Sequence, residues 1–231
     1  MCIRDRCKEG RKSRKRNGKD LCMVTDMGRK DGFREDGPIR GATKEAAFPL
    51  MTERLLLRPW TDADTPAFRR LNADPRVMAF FPAPLSDGES DALLARIRAH
   101  QAEHGFTFWA VEDRADGRLA GMTGLARVTF AAPFTPCVEI GWRFLPDYWG
   151  KGYALEAARL ALGYGFTAFG LDEIVAFTTT GNRHSQGLMH RLGMTRDPAD
   201  DFDHPHLPVG HPLLRHVLYR LSQAAWEKTR N

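Results

Sequence analysis

Two glycines one residue apart, Gly150 and Gly152, sit in the run Trp149-Gly150-Lys151-Gly152-Tyr153-Ala154-Leu155. Lacking Cβ atoms, they let a ligand approach the main chain while successive N–H groups converge on it. If a helix opens at Tyr153, those N–H groups are also its unpaired first donors, and the macrodipole favours an anion there. The spacing excludes two nucleotide motifs. A P-loop needs four residues between its glycines, then Lys and Ser or Thr, and the dinucleotide fingerprint needs a small residue where Leu155 stands. A glycine turn with no ligand is the competing reading. Two further sets of residues carry chemistry. Glu139 lies upstream in a strand-like run; Asn182 and Ser185 lie downstream in Gly181-Asn182-Arg183-His184-Ser185, where either side chain suits a helix cap.

These residues need elements to hold them. Residues 138–144, Val-Glu-Ile-Gly-Trp-Arg-Phe, read as a strand stopped by Pro146, and residues 153–169, rich in Ala and Leu, as a helix. Residues 172–178 read as the next strand, which makes a βαβ unit with its two strands parallel and its ligand end beyond Phe144 and Thr178. Upstream, residues 52–60 read as a strand ended by proline, followed by a helix through Leu71, an apolar loop over residues 78–82 and a helix from Ser86, with capping-box form, to His104. Residues 107–112 and 119–125 flank Asp116-Gly117 as an antiparallel hairpin. Residues 213–221 read as a final strand, with Trp226 as a terminal anchor. Asp201, Asp203, His204, His206, His211 and His216 invite a metal reading, but their spacing fits no helical or finger pattern, and Pro205, Pro208 and Pro212 mark an extended loop. No metal is assigned.

The glycine turn resembles the acyl-CoA signature of the GCN5-related N-acetyltransferases (GNAT), Gln/Arg-x-x-Gly-x-Gly/Ala, with Gly152 and Ala154 at the small positions. Trp149 stands where Gln or Arg is usual, as in the branch resembling the ribosomal-protein N-terminal acetyltransferases. Asn182, Ser185 and Leu192-Gly193-Met194 match the second signature of the family. The resemblance covers about residues 51–227 and implies a mixed α/β fold: a mostly antiparallel, splayed central sheet flanked by helices, with a βαβ acyl-CoA-binding unit. It implies acetyl-CoA as cosubstrate, the backbone of Trp142, Arg143, Phe144 and Leu145 pairing with pantetheine, and the amides from Gly150 through Lys151, Gly152, Tyr153 and Ala154 to Leu155 holding the pyrophosphate. Trp149 and Lys151 would flank that cradle, and Asn182 and Ser185 would complete the cofactor contacts. The activity implied is acetyl transfer by direct attack of a primary amine, on a protein N-terminus or a small molecule. Such chemistry needs a base and a proton for the leaving thiolate. Glu139 is the candidate base, against a strand-face carboxylate paired with Arg127 or Arg143. Ser185 is the candidate acid, because Met189 stands where many members carry Tyr. The loop at Phe80 and Phe81 would wall the acceptor site or simply pack, and Phe202-Asp203-His204-Pro205 resembles a substrate-side loop of some members. A CoA-binding accessory domain without transfer activity is the alternative.

Composition bounds the rest. The formal net charge of +5 is concentrated at one end: residues 1–48 hold 14 Lys and Arg against 8 Asp and Glu, leaving 20 against 21 in the remainder. The first 48 residues, with Arg11-Lys12-Ser13-Arg14-Lys15-Arg16, lack a hydrophobic period and read as a disordered basic tail or a stretch of non-native translation. Residues 49–231 then form one domain. Nucleic-acid binding rests on the tail alone and is not expected of the body. No apolar run is long enough for a membrane span. Three of the four cysteines, Cys2, Cys7 and Cys22, fall in the tail, leaving Cys137 alone, which suits a reducing cytoplasm. A monomer or a homodimer is expected.

Overall fold

The computed structural model describes residues 49–229. In chain order these form β1 (Leu50–Met51), β2 (Leu55–Arg58), α1 (Thr65–Ala73), α2 (Asp87–His104), β3 (Phe108–Asp113), β4 (Leu119–Arg127) and β5 (Val138–Phe144). There follow α3 (Tyr153–Ala168), β6 (Glu173–Thr179), α4 (Arg183–Arg191), β7 (Phe202–Asp203), β8 (Arg215–Ser222) and α5 (Gln223–Lys228). The basic run and the three tail cysteines lie outside the described residues.

The strands form one sheet in the order β1-β2-β3-β4-β5-β6-β8-β7. Every neighbouring pair is antiparallel except β5 and β6, which are parallel because α3 crosses over between them. That pair meets at Glu139 opposite Val175. Beyond it, β5 remains paired with β4 as far as Phe144 and β6 with β8 as far as Thr179, so the sheet opens into a wedge at the carboxyl ends of its two parallel strands.

The faces are covered unequally. Ala157, Ala161, Leu162 and Phe166 of α3 pack over Trp109, Leu125, Ile140 and Ile174 of the sheet, and Trp226 of α5 closes that core. On the opposite face Phe68 and Leu71 of α1 and Leu93, Leu94 and Ile97 of α2 pack over Phe108, Ala110 and Met122. Past the wedge, this second face continues as an aromatic cluster around Phe130, Phe177 and Phe202.

Local signals act as their chemistry dictates. At α2, Ser86 Oγ accepts the Glu89 N–H at 3.3 Å while Glu89 Oε2 accepts the Ser86 N–H at 2.9 Å, and Gly105 ends the helix at φ 79°. Differences fall where burial outweighs local pattern. α1 runs past Leu71 to Ala73, with Asn72 buried beneath it. The histidine-rich segment is not wholly extended loop: Phe202 is drawn into the aromatic cluster, which lets β7 add to β8. The last strand begins at Arg215 rather than 213 because Leu213 and Leu214 belong to a turn in which Leu214 N–H bonds the His211 carbonyl.

Candidate active site

One cavity of about 520 Å³ fills the wedge. Glu139 stands at its apex, 7% exposed, where β5 and β6 last touch. A broader, open groove of about 800 Å³ runs along the outer side of α3, but its one carboxylate, Glu156, is committed to Arg54 and Thr52. The chemistry belongs to the wedge.

At the wide end, β5 passes through a 3₁₀ turn, Pro146–Tyr148, into the glycine turn and α3. Gly150 and Gly152 adopt φ 71° and 82°, a left-handed conformation that costs a residue with a side chain about 1 kcal/mol or more. Gly152 is the N-cap, and no side chain caps the helix. The Glu156 N–H makes the first turn's bond to the Gly152 carbonyl at 3.1 Å, so the preceding N–H groups remain the helix's orphan donors. A side chain from far upstream fixes this turn. Arg54 donates through Nε to Glu156 Oε2 at 2.7 Å and through Nη1 to the Lys151 carbonyl at 3.0 Å, and lies over the Tyr153 ring at 4.4 Å. Burial raises the Glu156 pKa, yet hydrogen bonds from Thr52 and Arg54 outweigh it and hold the carboxyl below the usual range.

The edge of β5 facing the wedge is only partly open. The Leu145 N–H bonds the Ala120 carbonyl at 2.9 Å, and antiparallel alternation therefore turns the backbone groups of Gly141 and Arg143 toward β4 as well. Those of Trp142 and Phe144 face the wedge, and the Phe144 carbonyl accepts the Trp149 indole N–H at 2.8 Å. Of residues 142–145, Trp142 and the Phe144 N–H are the backbone groups that this alternation leaves toward the wedge. Leu145 is fully committed, its carbonyl taking the Tyr148 N–H at 3.0 Å. The Arg143 side chain serves the opposite face: it is 4% exposed, donates Nη1 to Asn72 Oδ1, and stacks over Phe81 at 4.4 Å.

Most of the anticipated residues meet here. Glu139, Trp142, Arg143, Phe144 and Trp149 line the cavity from β5 and its turn; Gly150, Gly152, Tyr153, Ala154 and Leu155 line it from the cradle; Asn182 and Ser185 line it from α4. Leu145 and Lys151 are not among its lining residues; Lys151 contributes its carbonyl to Arg54, and its side chain is exposed. Asn182 Oδ1 accepts the Ser185 N–H at 3.2 Å, and its Nδ2 donates to Thr178 Oγ1 at 3.0 Å, so Asn182 is the cap and Ser185 the capped residue. Met189 lines the wall from α4.

Other lining residues escaped sequence reasoning: Phe177, Phe108, Met122 and Arg76. His204 and His216 also line it, each almost fully buried. The histidines stood out in the sequence, but only their placement on β8 and the turn beside β7 brings them to the wedge. Among the described residues no group of three or more His, Cys, Asp or Glu side chains converges on a metal position. Close to Glu139, burial, with the Glu139 charge adding to it, pushes the Cys137 thiol up to about 12, so this thiol stays protonated and unreactive.

The sequence profile of a family described as acetyltransferase (GNAT) domain matches residues 54–195. A Bacillus subtilis relative named as an uncharacterized N-acetyltransferase, YnaD, is 28% identical over 77% of this chain and 98% of its own length. An FsC-acetyl coenzyme A-N(2)-transacetylase of Aspergillus fumigatus is 32% identical over 66% of this chain and 67% of that protein. The crystal structure of an acetyltransferase from Agrobacterium tumefaciens superposes with a TM-score of 0.62 at 26% identity, over 85% of this chain and all of the other. With its fold and its profile match in agreement, the chain belongs to the acetyltransferase (GNAT) family and is an acyl-CoA-dependent acetyltransferase.

Proposed function

We propose that the protein transfers the acetyl group of acetyl-CoA to a primary amine by direct attack. The observation that carries this reading is the joining of an open β5 edge, an uncapped helix start and a buried carboxylate in one cavity. The cradle fits a pyrophosphate: its orphan N–H groups come from residues 153–155, and Gly150 and Gly152 leave the approach clear, since a Cβ at Gly150 would meet nothing within 4 Å and one at Gly152 only the end of Arg54 at 3.6 Å. Trp142 and the Phe144 N–H supply the edge groups for pantetheine. Bound acetyl-CoA supplies a thioester carbonyl to be attacked.

Glu139 takes the proton from the amine, directly or through water, and the Ser185 hydroxyl hydrogen-bonds the departing thiolate. Because Asn182 rather than Ser185 provides the α4 cap, the Ser185 hydroxyl is available for that task. The acceptor is a protein N-terminus or a small molecule, and the reading places residues 49–231 in one domain, acting as a monomer or homodimer without metal. A cytoplasmic setting goes with it: Cys137 is a free thiol in the described fold.

The test is acetyl-CoA-dependent thiol release by the purified protein against a panel of amines, beside calorimetric titration with acetyl-CoA. Turnover with at least one amine is expected. Tight acetyl-CoA binding with no turnover on any amine would favour an accessory CoA-binding domain, and no binding would remove the cradle assignment.

A further inference from the structure

The wall of the wedge opposite β5 carries two imidazoles whose protons the backbone assigns. His216 Nδ1 lies 3.1 Å from the Leu214 carbonyl; a carbonyl only accepts, so the His216 proton sits on Nδ1 and its Nε2 holds a lone pair. His204 Nδ1 lies 3.3 Å from the His206 N–H; an N–H only donates, so the His204 proton sits on Nε2. The rings are 5.0 Å apart, 4% and 3% exposed for His204 and His216, and both line the cavity. Each commits Nδ1 to its own backbone, which leaves Nε2 as the nitrogen a ligand can meet. One lone pair and one N–H are thus offered side by side. On β8, His216 pairs with Thr179 at the end of β6, where the wedge is open and where Asn182 and Ser185 follow.

Both rings are kept neutral. Burial pushes His204 down to about 3, the neighbouring His216 and His206 adding to it, and burial pushes His216 down as well. A neutral imidazole does not repel the cationic form of an amine, and its bare nitrogen accepts a hydrogen bond without keeping the proton. Aromatic rings flank the pair, Phe177 lying 6.3 Å from His216 and Phe130 4.8 Å from His204 between ring centroids; Phe80, Phe81 and Met122 line the same cavity, as do Arg76, Arg143 and His184.

We propose that His216, with His204 beside it, seats the acceptor: Nε2 of His216 accepts a hydrogen bond from the amine N–H and turns the nitrogen's lone pair toward the thioester carbon. The acceptor class that fits this seat is a primary amine on an apolar or aromatic carbon skeleton. The proposal rests on the acetyl-transfer reading above. In the step itself the neutral amine attacks, the C–N bond forms and the C–S bond breaks; the proton released from nitrogen goes to Glu139, and the thiolate, hydrogen-bonded by Ser185, takes one proton back from Glu139 through water and leaves as coenzyme A. His216 ends the step with its own proton still on Nδ1, donated to the Leu214 carbonyl.

The experiment compares His216→Gln with His216→Asn, using 2-phenylethylamine as the probe amine and glucosamine as the polar contrast. A glutamine amide reaches the position of Nε2; an asparagine amide reaches that of Nδ1. With acetyl-CoA affinity unchanged in both, H216N is expected to lose about 10- to 100-fold in kcat/KM for 2-phenylethylamine, the effect of one lost hydrogen bond. H216Q is expected to recover most of that loss. The opposite order, equal losses, or no loss at all would overturn the seat, the first because the Leu214 bond would then be the whole role of His216. Preference of the unaltered enzyme for glucosamine would overturn the acceptor class. If the unaltered protein acetylates neither probe nor any other amine, the acetyl-transfer reading itself fails. The seat is then judged, as it is if a variant fails to fold, by imidazole ¹⁵N resonances of the unaltered, CoA-bound protein. Adding 2-phenylethylamine is expected to shift the His216 Nε2 resonance, and its failure to move would overturn the proposal.

Discussion

A carboxylate at the apex of a wedge and a hydroxyl at the start of a helix have separable duties, and single substitutions distinguish them. Glu139→Gln keeps the shape of a side chain that is 7% exposed while removing its basicity. It should lower kcat by about 10²-fold, with partial recovery as pH rises toward the pKa of the amine, while acetyl-CoA affinity stays constant. Stopped-turnover and calorimetric measurements on one preparation check both halves, and unchanged kcat at every pH would assign Glu139 to the strand face alone. At α4 the cap bond runs from the Asn182 side chain to the Ser185 backbone. Asn182→Ala should therefore cost about 1 kcal/mol of stability, and Ser185→Ala should melt with the unaltered protein. A fall in kcat for Ser185→Ala without a change in melting then reports the leaving-group contact. A melting drop equal to that of Asn182→Ala would show that the hydroxyl supports the helix instead.

Elements explain which of these positions sequence reveals. The βαβ unit is legible because its signals are local: β-branched and aromatic residues before Pro146, paired glycines, then Ala and Leu at helical spacing. Residues 138–144 are the strand expected, and α3 ends one residue short of the expected Phe169. Alternation within β5 is legible only once its partners are known, which is why Arg143 and Leu145 look like pantetheine contacts in sequence and are turned to β4 in the fold. The clasp of Arg54 on Glu156 joins residues about a hundred positions apart and leaves no local trace. The glycine turn carries its own test. Gly152→Val forces a β-branched side chain into φ 82° beside the orphan N–H groups, so acetyl-CoA affinity should fall at least about tenfold while the fold persists. Unchanged affinity in a folded variant would exclude the cradle. Another link ties β2 to the start of α1: Arg58 forks onto Asp64 at 2.7 and 2.8 Å and bonds Glu112 at 2.7 Å. Burial raises the Asp64 pKa, but hydrogen bonds from Arg58 and Thr61 more than reverse it, leaving the folded value depressed. A depressed carboxyl stabilises the fold above its unfolded pKa of about 4, and that contribution is lost as pH falls through the lower folded value. Asp64→Asn should cost about 1–3 kcal/mol at neutral pH, and its melting temperature should fall less steeply below about pH 4 than that of the unaltered protein. Parallel acid melts of the two proteins measure the difference in slope, and identical slopes would remove Asp64 from the acid response.

At the scale of the whole chain, the described residues 49–229 carry a core and a cavity of their own, from Leu55 on β2 to Trp226 on α5. The profile match and the wedge share that span, whereas the surplus of basic residues is upstream of it. Two properties should therefore separate when residues 1–48 are removed. Thermal melting and acetyl-CoA affinity should match those of the full chain, because the buried apolar surface and the cradle are intact. Retention on nucleic acid at low salt should fall, because a body with 20 basic against 21 acidic residues has few phosphate contacts to offer, while the full chain's retention should decline steeply as salt is raised. Melting of the truncated protein several degrees lower would show that residues 1–48 dock on the domain. Salt-dependent retention that survives truncation would show instead that the body presents a basic surface of its own, and the acceptor class would then have to accommodate an anionic partner.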